Sequence, residues 1–301
     1  MSLVNWAVIV LLGIGWGSSF FFNEVLLREL GPFGLSLGRV GLGALGCWIY
    51  LAATGGLRGA SMREARQFLL IGLVQYGLPF SIYALAQQYI TGGAAGIINA
   101  LTPVMVVIVA HFWPGRERAT VLKSIGVAIG FSGIVLLAVP ALQAGGGSQL
   151  WAILFAALAP VCYAIAVNYT KAVTGVPHAA MAAWGLTMAT LFLAPVTLIM
   201  EGVPVVTRPE SWASLAMVGF VLTSASFIVF YWVLARVGPL ATSTVTYVAP
   251  ISAVLLGVWF LNEQLLWPQL AGMGAIFTAL LLIDGRLVRL LRPKGNHQPD
   301  G

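Results

Sequence analysis

Charged residues are scarce in this chain, and two long stretches contain none. Only 8% of the 301 residues are Asp, Glu, Lys or Arg, whereas soluble domains carry about 25%. Residues 67–115 and 124–170 lack all four types. A helix that crosses the bilayer needs roughly 20 apolar residues, so each stretch has room for two crossings. This composition excludes a water-soluble domain and predicts a polytopic membrane protein.

Cysteine and histidine are also rare, with two and three copies. Cys47 and Cys162 fall inside apolar segments, so we predict small buried hydrophobic residues and no disulfide. The sequence has no H-E-x-x-H or G-x-S-x-G motif and no nucleotide-binding P-loop. We therefore expect neither an intramembrane enzyme nor an ATP-driven pump, and we predict no cofactor and no metal site.

Apolar runs separated by turn signals divide the sequence into ten predicted helices. Their ranges are 3–22, 33–54, 67–89, 92–113, 120–139, 149–169, 178–200, 211–234, 240–261 and 265–283. The first has no basic segment before it and no cleavage motif after it, so we expect a retained helix rather than a signal peptide. The predicted fold class is an all-α polytopic membrane protein with ten transmembrane helices.

The basic residues fall on one side of the predicted membrane. With a cytoplasmic N-terminus, Arg28 and Arg208 lie outside, and twelve other cations lie in cytoplasmic segments. These twelve are Arg58, Arg63, Arg66, Arg116, Arg118, Lys123, Lys171, Arg236, Arg286, Arg289, Arg292 and Lys294. Because cytoplasmic loops are enriched in Lys and Arg, we predict a bacterial inner-membrane protein with both termini in the cytoplasm. The net charge of +6 then indicates contact with the lipid bilayer, not with nucleic acid.

The two halves of the sequence share landmarks. A shift of 147 residues aligns Trp16 with Tyr163, Gly38 with Gly185, Gly72 with Gly219, Phe80 with Phe227 and Pro103 with Pro250, and a shift of 146 aligns Glu117 with Glu263. We predict five-helix repeats over 1–139 and 150–284, a hinge loop over 140–149 and a basic cytoplasmic tail over 285–301. Five is an odd number, so the repeats are inverted, as in transporters that work by alternating access. Ten helices can enclose a cavity unaided, and we expect a monomer.

Several motifs together carry a family resemblance. They are Trp16-Gly17-Ser18-Ser19-Phe20, the internal Arg39, Leu101-Thr102-Pro103-Val104, Val248-Ala249-Pro250-Ile251 and a Glu after each of the last two. This set resembles the EamA-type branch of the drug/metabolite transporter superfamily over residues 4–283. The resemblance implies an exporter of small metabolites, and similarity to the YddG-type exporters implies aromatic and other neutral amino acids. A Pro, a Gly and an Arg precede Glu117, which departs from the family pattern.

Three prolines each free a helix carbonyl four residues earlier. The pairs are Pro79 with Gln75, Pro103 with Asn99, and Pro250 with Thr246. Freed carbonyls deep in a membrane must meet protein, water or a cavity. Each place is therefore either part of a substrate site, with the prolines acting in gating, or a kink that neighbouring helices satisfy.

Aromatic residues at helical spacing suggest a binding surface. Tyr76, Phe80 and Tyr83 share one helix face, which fits either helix packing or a cavity for an amphipathic metabolite. The predicted substrate-binding residues are Trp16, Gln75, Tyr76, Phe80, Tyr83, Asn99, Tyr163, Trp184, Phe227 and Tyr247. The small-molecule substrate is thus expected to carry an apolar side chain.

Among Asp, Glu, Lys and Arg, only Arg39 lies well inside a predicted helix. Burying such a residue costs on the order of 3 kcal/mol. We favour a structural role, in which Arg39 reaches the outer interface or pairs with Glu24 or a carbonyl; a functional Arg39 would attract a carboxylate. With no carboxylate at a helix centre, downhill movement of a neutral or zwitterionic solute is favoured. Glu117 and Glu263 remain either proton carriers or helix caps, and a broader drug exporter or a channel remains an alternative.

Overall fold

The computed structural model describes residues 2–114, 118–171 and 173–285, and these residues form helices and no strand. The helices are α1 Leu3–Leu26, α2 Pro32–Ala53, α3 Met62–Ala86, α4 Gly92–Phe112, α5 Val121–Gln143, α6 Gly147–Thr170, α7 His178–Met200, α8 Pro209–Gly238, α9 Val245–Leu261 and α10 Trp267–Ile283. The first eight are long and apolar enough to cross a membrane, and α9 and α10 are shorter apolar helices. Glu117 and residues 286–301 of the predicted tail lie outside the described residues.

Helix ends depart from the predicted ranges where a local cap decides them. Ser61 and Glu64 form a capping box, in which each side chain accepts from the backbone N–H of the other residue. The helix α3 therefore begins five residues before the expected start at 67. Capping of this kind satisfies backbone donors that the apolar pattern does not reveal.

The hinge loop expected over 140–149 is much shorter in the structure. Helix α5 continues through Pro140 to Gln143, and α6 already begins at Gly147. Gly145 adopts φ +66°, and the N–H of Gly146 donates to the carbonyl of Ala141 at 2.9 Å. This left-handed glycine cap ends the helix, so α5 runs four residues past its expected end at 139.

Two of the predicted proline sites show how the backbone accommodates the ring. Helix α3 widens into a π-helix over Gly72–Gly77, just before Pro79. Helix α4 breaks at Ala100 and Leu101, and the hydroxyl of Thr102 donates to the carbonyl of Asn99 at 2.7 Å. The kink at Pro103 is therefore satisfied by a neighbouring side chain.

The contacts between helices come in matching pairs. Helix α1 packs against α9, as α6 packs against α4, and α2 packs against α8, as α7 packs against α3. Helix α8 carries its own π-helix over Met217–Ala225, which corresponds to that of α3 under the 147-residue shift. Further large contacts join α2 with α7, α5 with α10 and α4 with α9. The first and second halves of the chain thus interleave throughout the bundle.

Candidate functional site

Six aromatic side chains from the two halves form one cluster, and each of them is either buried or only partly exposed. The members of this aromatic cluster are Trp16 on α1, Tyr76 and Phe80 on α3, and Phe227, Phe230 and Tyr231 on α8. The ring centroid of Trp16 lies 5.7 Å from that of Phe227 and 5.2 Å from that of Phe230. Tyr76 meets Phe227 edge-on, at 5.2 Å and 88°. Tilted and edge-on contacts are the favoured geometries for aromatic pairs, and here they join the first half of the chain to the second.

Polar groups without protein partners lie beside this cluster. The hydroxyls of Tyr76 and Tyr163 and the amide of Gln75 form no hydrogen bond within the described residues, and Tyr76 is 1% exposed. Tyr163, on α6, lies near Arg39 and Tyr76. Polar groups inside a membrane protein are tolerated where they face water or a cavity. They give the aromatic cluster a polar edge.

Arg39 is the charged group of this region. Its side chain is 6% exposed, and its Cζ lies 3.9 Å from the ring centroid of Phe80. The Nε–H donates to the hydroxyl of Thr223 on α8, and an Nη2–H donates to the hydroxyl of Ser19 on α1, both at 3.2 Å. The guanidinium therefore touches both halves of the chain and one ring of the aromatic cluster.

The prediction that Arg39 pairs with Glu24 was wrong. Glu24 accepts instead from Gln87 at 3.2 Å, and Gln87 also donates to the carbonyl of Phe20. Arg39 does connect the first two helices, as predicted, but it does so through Ser19. The two hydroxyl partners are uncharged, so they leave the positive charge of Arg39 unbalanced.

Two predicted site residues, Trp184 and Tyr247, have ring and hydrogen-bond partners outside the aromatic cluster. Trp184 packs edge-on against Trp48, and its Nε1–H donates to the carbonyl of Arg58 at 3.3 Å. Tyr247 donates to Asp284 at 3.2 Å and packs against Phe277. Both rings thus have protein contacts of their own, which the sequence spacing could not show.

Tyr83 and Asn99 form a second small group. The hydroxyl of Tyr83 donates to the side-chain oxygen of Asn99 at 3.1 Å, and its ring meets Phe20 edge-on at 5.2 Å. Tyr83 is 3% exposed. These contacts join α1, α3 and α4, and they hold the two predicted residues beside the site without bringing them into the aromatic cluster.

Sequence reasoning missed Thr223, Phe230 and His178. Thr223 lies 184 residues from Arg39 in the chain, within the π-helix of α8, and a π-helix has no simple sequence signature. His178 stacks on Tyr231 at 4.4 Å and 7°. The 147-residue shift places Phe230 opposite Tyr83, so the repeat carried an aromatic signal that could have found Phe230.

Three carboxylates connect the two halves at one end of the bundle, and we call Glu29, Glu201 and Glu263 the end carboxylates. Glu201, after α7, accepts from the N–H groups of Phe33 and Gly34 at 2.9 and 2.8 Å. These N–H groups belong to the first turn of α2, where negative charge is favourable.

Glu263 makes the same kind of contact with α4. Its carboxylate accepts from the N–H groups of Gly92 and Gly93 at 2.9 and 3.0 Å. This is the capping role that one of the two sequence interpretations gave it. Burial raises the pKa of this carboxyl, although the two backbone donors act in the opposite direction.

Glu29 completes the set between α1 and α2. It accepts from the N–H groups of Thr207 at 2.7 Å and of Arg208 at 3.2 Å. Hydrogen bonds from the side chains of Thr207 and Ser211 lower the pKa of Glu29 to about 2. The contact therefore keeps its charge at pH values where an ordinary glutamate is protonated.

The EamA-like transporter family matches residues 5–139 and 150–284 of the chain. The chain belongs to this family. The match confirms the resemblance seen in the sequence motifs, and it makes the chain a membrane transporter. Each of the two matched segments contains five of the described helices.

Relatives of this EamA protein are named as transporters too. A "probable terminal-alkyne amino-acid exporter" of Streptantibioticus cattleyicolor is 27% identical, over 95% of this chain and 95% of the relative. An uncharacterized transporter of Archaeoglobus fulgidus is 26% identical, over 83% of this chain and 86% of the relative. The uncharacterized inner membrane transporter YedA of Escherichia coli K12 is 25% identical, over 89% and 86%. These relatives support a membrane location.

A protein of known crystal structure shares the fold of this EamA chain. The two superpose with a TM-score of 0.66, over 94% of this chain and 98% of the other, at 20% sequence identity. At that identity the likeness concerns the fold and not the substrate.

Proposed function

We propose that this transporter exports small metabolites, chiefly aromatic and other neutral amino acids, by alternating access. The supporting observation is the aromatic cluster, to which both halves of the chain contribute rings beside the unbalanced charge of Arg39. Apolar and aromatic walls with a few polar groups are typical of small-molecule sites. A relative named as an amino-acid exporter is consistent with this substrate class.

The proposed mechanism rests on two inverted five-helix repeats, 1–139 and 150–284, that rock about this site. The matching helix contacts and the corresponding π-helices of α3 and α8 support the repeat. We propose ten membrane crossings in the bacterial inner membrane, with both termini in the cytoplasm and a monomer as the working unit. In this topology the end carboxylates lie at the outer surface.

A broad-specificity drug or metabolite exporter is the second candidate. One observation favours it. Within the described residues, no carboxylate forms a hydrogen bond with a member of the aromatic cluster, so the cluster offers no charged partner for the α-amino group of an amino acid. Rings alone accept many apolar ligands. A channel would need no such site, and it would show transport that does not saturate.

Efflux of labelled phenylalanine from loaded proteoliposomes tests the proposal. We expect efflux above that of protein-free vesicles, saturation with concentration, and faster exchange when unlabelled phenylalanine is present on the other side. Efflux equal to that of protein-free vesicles would remove the amino-acid assignment. Efflux without saturation or counterflow would indicate a channel.

A further inference from the structure

Among the described residues, Arg39 is a buried cation that forms no ion pair. Within the described residues, the one ion pair joins Arg58 and Glu64. The side chain of Arg39 is only 6% exposed. An unpaired charge inside a protein is strongly unfavourable, because the lost hydration is not replaced. An anion that binds from outside the protein would supply the missing charge.

The contacts of Arg39 leave one side of the guanidinium available. Ser19 and Thr223 take one N–H each, and Phe80 covers the face of the group. The hydrogen bonds of Arg39 to described residues use Nε and Nη2, and within the described residues Nη1 has none. Three elements, α1, α3 and α8, therefore fix the guanidinium while its remaining N–H groups stay unused.

The surroundings favour a single carboxylate over a more highly charged anion. One guanidinium matches one planar carboxylate in a bidentate geometry, and the described residues place no second cation in hydrogen-bonding contact with the site. The phenol of Tyr163, which lies near Arg39, offers a further donor. The rings of Phe80 and Tyr76 begin directly beside the guanidinium, so an apolar side chain can follow the carboxylate.

We propose that Arg39 is the carboxylate-binding residue of the site, and that substrates carry a free carboxylate next to an apolar or aromatic group. This inference rests on the proposed function and names the group that the site requires. A purely structural Arg39 would stabilise the fold without distinguishing a carboxylate from its amide.

Competition in phenylalanine counterflow tests this requirement. The competitors are 3-phenylpropionate, which keeps the carboxylate, and phenylalaninamide, which loses it. We expect 3-phenylpropionate to compete at least about 10-fold more strongly, as one charge-assisted contact implies. In R39Q this preference should disappear, and in R39K, which keeps the charge but loses the bidentate geometry, only part of it should remain. The control R236Q removes an exposed cation that lies over Trp232, and it should leave the preference unchanged.

Each outcome separates the two proposals. Equal competition by the amide in the wild-type protein, or an unchanged preference in R39Q, would overturn the role of Arg39 while leaving phenylalanine export intact. If phenylalanine is not transported, a shift in the thermal unfolding of the purified protein by 3-phenylpropionate but not by phenylalaninamide would support Arg39 without the proposed substrate. If R39Q does not fold, the carboxylate preference of the wild-type protein and its reduction in R39K still test the role of Arg39.

The end carboxylates carry a second, independent inference. All three reach from one half of the chain to backbone N–H groups of the other half. The described carboxylate of Glu64, by contrast, bonds Ser61 and Arg58 of its own half. Hydrogen bonds to a charged group are about twice as strong as neutral ones. We infer that the end carboxylates form a lock that closes this end of the bundle and opens as one unit.

Amide hydrogen exchange tests whether the three contacts open together. In E263Q we expect exchange about 10-fold faster at residues 90–96, where the contact is lost, and also at residues 31–36, which Glu201 holds. E210Q changes an exposed glutamate at the start of α8, and it should alter neither segment. Faster exchange at 90–96 alone would reduce Glu263 to a local helix cap and overturn the lock. E201Q provides the reciprocal measurement if E263Q is unstable.

Discussion

Replacing Phe227 by alanine is expected to raise the KM for phenylalanine export about 10-fold or more. Phe227 belongs to the second half of the chain and contacts Trp16 and Tyr76 of the first half, with centroid distances of 5.7 and 5.2 Å. Loss of an aromatic contact together with its apolar area removes at least about 1.4 kcal/mol from ligand binding, which corresponds to a tenfold change. Counterflow measured over a range of phenylalanine concentrations gives this value.

The specificity of that effect distinguishes a binding role from a loss of stability. Export of alanine, which has no ring to place in the aromatic cluster, should change much less than export of phenylalanine. The matched control is W259A, because Trp259 is 68% exposed on α9 and has an aromatic side chain outside the cluster. Equal losses for both amino acids, or an equal effect of W259A, would contradict a substrate site at Phe227.

Replacing Gly17 by alanine is expected to cause the largest loss of stability. A Cβ atom at Gly17 would lie 1.9 Å from the hydroxyl oxygen of Ser252 and 2.1 Å from the carbonyl oxygen of Ala249. The carbonyl belongs to the backbone of α9 and cannot rotate away, so α1 and α9 must separate. Overpacking of this kind costs about 1–3 kcal/mol or more.

Thermal unfolding of the purified protein measures this cost against a glycine with free space. A Cβ at Gly274, on α10, meets no atom within 4 Å, so G274A should match or slightly exceed the wild-type Tm. G17A should lower the Tm clearly. Equal Tm values for G17A and G274A would show that α1 does not approach α9 as closely as described.

The helices were predictable because a membrane segment is specified by composition over many residues. All ten predicted segments overlap a described helix, and family membership followed from motifs spread along both halves. The ends were less predictable, because a cap depends on local geometry. The expected end of α5 at 139 was wrong, because the helix passes Pro140 and ends at Gln143, before the left-handed Gly145.

The sequence predicted the members of the site only where they lie close together on one helix. Tyr76 and Phe80 share a face by spacing alone, and both belong to the aromatic cluster. The partners of Arg39 were not predictable, since Thr223 approaches it through the packing of α8 against α2 and a π-helix. Trp184 was predicted to bind substrate, but its indole N–H donates to the backbone carbonyl of Arg58.

The most direct test of the whole account is the labelling of Ser19→Cys from each side of the membrane. Ser19 contacts Arg39 at 3.2 Å, and replacing Cys47 and Cys162 by alanine leaves the new thiol as the sole target. A membrane-impermeant maleimide should modify this cysteine when added from either side, and phenylalanine should protect it on both. Modification from one side alone, or modification that phenylalanine does not slow, would contradict a shared site that the two halves expose in turn.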